Sequence, residues 1–147
     1  MSVTPAAERR LLQVAVALAC LVPLAMGTLS LVHGPSVLRG VTGASADLDS
    51  HFRYLSGLLL AIGIGFASCI PAIERRGARY RLLAFIVIVG GLGRLGSLLT
   101  IGTPGPGHLF GLVMELLIVP LLMLFQARVA RRCEQPRRHE ADGAALA

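Results

Sequence analysis

LLAFIVIVGGLGRLGSLLTI (Leu82–Ile101), a short turn around Pro104-Gly105, then HLFGLVMELLIVPLLMLFQA (His108–Ala127) is the stretch that decides the fold. Each run is 20 residues long, enough helix to cross about 30 Å of hydrocarbon. One charge interrupts each: Arg94 lies ten residues before Pro104, and Glu115 lies ten residues after Gly105. Folded back as a helical hairpin, the two side chains meet at matching depth. A charge near the middle of a membrane helix costs about 2.5–3.5 kcal/mol, so an opposite-charge pair there needs a structural or functional reason.

Composition places the rest of the chain in the same solvent. Of 147 residues, 54% are hydrophobic and 15% charged, and the mean hydropathy is +0.72. Soluble domains carry about 25% charged residues. The polar stretches, each about 20 residues, are too short to bury a core of their own. All 14 basic residues are arginine, and the formal charge is +6. The arginines flank apolar segments, which suits topology signals and anionic headgroups and argues against nucleic acid. Cys20, Cys69 and Cys133 show no CxxC or metal spacing and read as small buried hydrophobes or tail residues.

Two further spans precede the hairpin: Leu11–Val32 and Tyr54–Ile73, neither carrying a charge. The expected fold is therefore all-α, an integral membrane four-helix bundle over residues 1–129, with a disordered cytoplasmic tail over 130–147. Placing the N-terminus, the loop after the second span and the tail in the cytoplasm puts 11 arginines inside and two, Arg39 and Arg53, outside. The positive-inside rule thus predicts both termini in the cytoplasm. Glu8-Arg9-Arg10 before an apolar run resembles a secretory signal, but that run exceeds the usual 7–15 residues and further spans follow, so a retained helix is expected.

Membrane helices associate through close packing of small residues. Gly57, Ala61, Gly65 and Cys69 recur at spacing four on the second span, and Gly90, Gly91, Gly93, Gly96, Ser97 and Thr100 surround Arg94 on the third. Gly111 lies one turn before Glu115, where it would clear space beside a charge. Pro23 and Pro120 are expected to kink the first and fourth spans.

Gly91–Gly96 spells G-x-G-x-x-G, but it lies mid-span with no preceding strand and no βαβ unit, so it is no dinucleotide site. For the Arg94–Glu115 pair three roles stand: a register lock, a titrating Glu115 for proton coupling, or an arginine anchor for an anion. A paired arginine keeps the carboxylate ionised, against the second role. Asp49 or Ser50 is expected to cap the second helix, and Asp49 to pair with Arg53 four residues on. Under the predicted topology Arg53, Arg94, Glu115 and His108 share the extracytoplasmic half, and with Asp49 they are the candidate ligand-binding residues of an outward-facing pocket. No HxxxH, HExxH or mid-span histidine supports a metal or haem, and no Walker loop or nucleophile elbow supports an enzyme.

The runs His51–Gly57, Pro71 with Ile73–Arg76, Gly90–Leu95, and Glu115 before Pro120 resemble the bacterial four-helix family catalogued as domain-of-unknown-function family 4345, from about Leu11 to Val129. The resemblance implies four membrane helices and assigns no activity or catalytic residue. A fold-level analogy to DoxX-like four-helix membrane proteins does not fix function. The expectation is a non-enzymatic inner-membrane accessory or small-ligand-binding protein without cofactor. Its candidate partners are membrane lipids, a second copy of itself and a small anion. A dimeric proton-coupled transporter is the alternative, and a redox-associated membrane protein the third.

Overall fold

The computed structural model describes residues 4–145, and side chains over residues 4–134. Among the described residues all regular structure is helical. The chain runs α1 (Pro5–His33), a 3-10 turn (Gly34–Val37), α2 (Ala46–Cys69), a 3-10 turn (Ile70–Ala72) and α3 (Gly77–Thr100). Then follow α4 (Pro106–Val113), a π-helical turn (Met114–Ile118) and α5 (Val119–Ala145). Four helical segments among the described residues, Pro5–Val37, Ala46–Ala72, Gly77–Thr100 and Pro106–Glu134, are long and apolar enough to cross a membrane.

Beside a small apolar core that includes Leu12, Val16, Ile73 and Val129, many large apolar side chains face outward while some polar ones are buried. Gln126 is fully buried and Glu8 only 6% exposed, while Leu99 and Ile101 are 77% and 86% exposed. In water such exposed leucines would each forfeit about 1.5–3 kcal/mol of burial energy; against lipid tails they forfeit nothing.

The chain divides into two compact units, Val14–Ile70 and Met1–Gln13 with Pro71–Ala147. In the Val14–Ile70 unit, α1 and α2 approach at Gly27 and Gly63. A Cβ on Gly27 would stand 2.8 Å from the Leu60 amide nitrogen, and one on Gly63 3.2 Å from Leu24 Cδ2. Of the small-residue stripe expected through Gly57, Ala61, Gly65 and Cys69, Cys69 is fully buried, but Ala61 is exposed and a Cβ on Gly57 would meet only Leu31 Cδ1, at 3.9 Å, so the close approach lies elsewhere. The buried positions of α2 are Ser56, Gly63, Phe66 and Cys69. A spacing of four drifts around a helix of 3.6 residues per turn, so the contact line leaves the stripe.

The start of α2 also differs from expectation. Ser45, not Asp49 or Ser50, is the cap, its Oγ accepting from the Leu48 amide at 3.2 Å. Asp49 is already inside the helix, where its carboxylate accepts from Arg53 Nε at 2.7 Å. Arg53 then reaches the end of α1, donating through Nη1 to the carbonyls of Leu31 and Val32 at 2.7 and 2.9 Å. These are terminal helix carbonyls without partners in their own helix, so the guanidinium caps α1. Gly34 sits beneath it at φ +65, where a Cβ would stand 2.5 Å from Asp49 Oδ1. Arg53→Met should therefore lower the thermal unfolding midpoint in detergent, because two α1 carbonyls and Asp49 lose their donor. Arg53→Lys should recover only part of that loss, because one ammonium lacks the fork that serves Asp49 and two carbonyls together.

In the other unit α3 packs against α5 and the π turn. Gly91 permits the approach: a Cβ there would stand 2.8 Å from Leu116 Cδ2 and 2.9 Å from Glu115 Cβ. Gly90, Gly93 and Gly96 have nothing within 4 Å of their Cβ positions, so of this glycine cluster only Gly91 is demanded by packing. α1 continues through Pro23 as one helix. At Pro120 the fourth span does deform, as a π turn rather than a simple bend. The Val119 amide bonds the Met114 carbonyl five residues back, immediately before the proline, whose ring would crowd the Leu116 carbonyl in a regular helix.

α5 does not stop near residue 129, where the sequence suggests a disordered tail; it continues as helix to Ala145. For residues 130–134 the cause is visible. Arg128 and Arg132, one turn apart, both bond Glu8 Oε1, at 3.2 and 2.5 Å, and so tie this end of α5 to the start of α1.

Candidate functional site

Arg94 comes from α3, Glu115 from the π turn and His108 from the first turn of α4. The hairpin register brings them together as the residue count around Pro104-Gly105 predicts. Arg94 Nε donates to Glu115 Oε2 at 3.0 Å, and Nη2 donates to Oε1 at 3.1 Å. This is a bidentate fork, the strongest geometry available to an arginine–carboxylate pair. The third edge of the guanidinium, Nη1, lies 2.8 Å from His108 Nδ1. Arginine can only donate, so Nδ1 accepts and the ring proton resides on Nε2.

The widened turn matters to this arrangement. A π turn adds one residue to the helical ladder and so changes the direction in which Glu115 projects. Its side chains also pack onto α3 at Gly91, where Glu115 Cβ and Leu116 Cδ2 would stand 2.9 and 2.8 Å from an added Cβ, and this sets the height of the carboxylate against Arg94. Gly111 lies under the guanidinium, but a Cβ there would stand 3.7 Å from Arg94 Cζ, an ordinary contact. Glycine is thus tolerated rather than required at 111.

The side chains of Arg94 and Glu115 are 33% and 18% exposed. Of five guanidinium N–H groups, two serve Glu115 and one serves His108, leaving one on Nη1 and one on Nη2. Together with His108 Nε2–H, they are donors without an acceptor among the described residues, in a segment that is otherwise apolar. Asp49 and Arg53, the other two candidate ligand residues, belong to the Val14–Ile70 unit, where they engage each other and the end of α1. Among the described residues no three His, Cys, Asp or Glu side chains converge as a metal site, and Cys20, Cys69 and Cys133 are free thiols.

A second polar cluster was not read from the sequence. Glu8 Oε1 receives Arg128 and Arg132, and Arg9 donates to the Pro71 carbonyl at 3.0 Å. Arg9 Nε lies 3.0 Å from Glu74 Oε2, yet neither atom has an aligned hydrogen bond, so that contact is an ion pair by charge alone. Gln126 Nε2 donates to the Ile73 carbonyl at 2.8 Å. The signals were present in the sequence: acids at 8 and 74 amid arginines, and a polar Gln126 at the end of an apolar span. Their pairing runs across up to 124 positions and no local spacing rule reaches it.

The family model for Domain of unknown function (DUF4345) matches residues 11–126. Neither the curated proteins nor the solved structures give a match. The matched segment takes in the second and third apolar spans whole, most of the first and fourth, and all of Arg53, Arg94, His108 and Glu115; the chain belongs to the DUF4345 family.

Proposed function

We propose that this chain is a non-enzymatic, multi-pass protein of the bacterial inner membrane that holds a small anionic ligand at Arg94. The observation that carries the reading is the incomplete use of the guanidinium. Glu115 orients it by a two-point grip, and two N–H groups plus His108 Nε2–H remain for oxygen acceptors on a carboxylate or phosphate. A site that is one-third exposed in an apolar span favours an occupant, because unpaired donors facing hydrocarbon are costly. The distribution of arginines supports cytoplasmic termini, and arginine-rich ends support contact with anionic lipids.

Native mass spectrometry from a mild detergent tests the reading. The wild-type chain should retain a small anionic adduct, and Arg94→Leu/Glu115→Leu should lose it while remaining folded. Wild-type protein without an adduct, or equal retention by the double variant, would refute it.

A further inference from the structure

The three free donors around Arg94 do not point at one place. The remaining N–H groups on Nη1 and Nη2 belong to one planar guanidinium and can share a single oxyanion. His108 differs. Its Nδ1 is turned toward Nη1, at 2.8 Å, so the ring stands between the guanidinium and Nε2–H. The two nitrogens of an imidazole send their hydrogen bonds out at a wide angle to each other, and Nε2–H therefore points away from Arg94. One carboxylate or phosphate held by the arginine does not also reach the histidine donor.

We propose that the ligand at Arg94 is elongated, with an oxyanion for the guanidinium at one end and a second, uncharged oxygen acceptor for His108 at the other. This rests on the Arg94 reading and names the class of molecule that the site takes. The separation of the two ends follows from the contacts. The step from Nη1 to Nδ1 is 2.8 Å; one ring width and a further hydrogen bond of about 2.9 Å then place the two ligand oxygens about 7–9 Å apart.

Charge decides the nature of the second end. Arg94 and Glu115 form an ion pair with no net charge, so a second anionic group would add uncompensated charge to an apolar span. A carbonyl adds none and accepts from a neutral N–H. There is room for it: His108 is exposed, and nothing lies within 4 Å of a Cβ built on Gly105 or Gly107 in the turn before it. The same hairpin exposes Leu99, Ile101 and Phe110, an apolar surround for the stretch that joins the two ends.

The test titrates the full chain in non-ionic detergent with three monoanionic acids, followed by calorimetry. Hexanoate offers the oxyanion alone, monomethyl adipate adds an ester carbonyl at the far end of the same six-carbon chain, and monomethyl succinate carries that carbonyl on a chain too short to span the sites. The adipate ester should bind about tenfold more tightly than either of the others. In His108→Phe the ratio of adipate ester to hexanoate should fall to about one, and Arg94→Leu/Glu115→Leu should bind none of the three. A phosphoglycerol lipid, which also pairs an oxyanion with remote ester carbonyls, serves as competitor: displacement of the adipate ester supports the site with a membrane lipid as the source, and its absence supports a free acid. An adipate ester bound no more tightly than hexanoate by the wild-type chain, a measurement independent of whether any variant folds, would overturn the proposal, as would a preference that survives His108→Phe. Equal binding of all three acids would remove this inference and leave Arg94 as an anion site; binding of none would remove both.

Discussion

Replacing Arg94 alone with leucine should cost about 2.5–3.5 kcal/mol of stability, whereas replacing Arg94 and Glu115 together should cost about 1 kcal/mol or less. The asymmetry follows from what each variant leaves behind. In Arg94→Leu the Glu115 carboxylate, 18% exposed and held by the π turn, loses the cation that grips it and faces a low-dielectric surround. In the double variant no charge remains, and leucine suits the apolar span. Unfolding in mixed micelles, followed by circular dichroism, measures both. Exchanging the two residues should recover only part of the loss, because an arginine starting from the π turn and a glutamate starting from α3 do not share the reach of the native fork. Equal destabilisation by the single and double variants would mean that the pair contributes as packing volume and not as charge. Stability and ligand retention also separate here: the double variant should fold well and bind nothing at this site.

Gly27→Val should be the most damaging single change in the Val14–Ile70 unit, costing about 3 kcal/mol, with Gly27→Ala at about 1–3 kcal/mol. The reason is what the added carbon would meet. At Gly27 the nearest atoms are Leu60 N, Cα and Cβ, at 2.8, 2.9 and 2.9 Å, and backbone cannot swing aside as a side-chain tip can. α1 and α2 would have to separate along their contact line. Gly90→Ala is the matched control, since nothing lies within 4 Å of its Cβ position. There the better helix propensity of alanine should stabilise by about 0.5–1 kcal/mol. Thermal unfolding of the three variants in one detergent decides the matter. If Gly27→Ala unfolded at the wild-type temperature, the contact of α1 with the Leu60 backbone would not limit the stability of this unit.

Several features of this protein were legible because they depend on short-range rules. Apolar run length locates four spans. Ten residues on either side of a Pro-Gly turn place Arg94 opposite Glu115, and spacing four joins Asp49 to Arg53. His108 falls at the mouth of the same hairpin by the same count. Other features were missed where two local rules competed. Asp49, Ser50 and Ser45 are all acceptable caps by residue type, and the choice among them fell to Ser45 once Arg53 had claimed Asp49. Pro120 signalled a deformation, but the π turn also depends on how α3 presses on Leu116 at Gly91.

By itself the amino-acid sequence determined the solvent, the number of spans and the meeting of the Arg94–Glu115 pair, since hydropathy and helix rise are properties of one continuous segment and the turn joining the two segments is short. Only the tertiary structure decided that Gly27 and Gly91 rather than their neighbours bear the close approaches, that Arg53 caps α1, and that Glu8 gathers Arg128 and Arg132. Those outcomes depend on which faces meet after packing, and a rotation of a helix by one residue, 100°, changes every one of them.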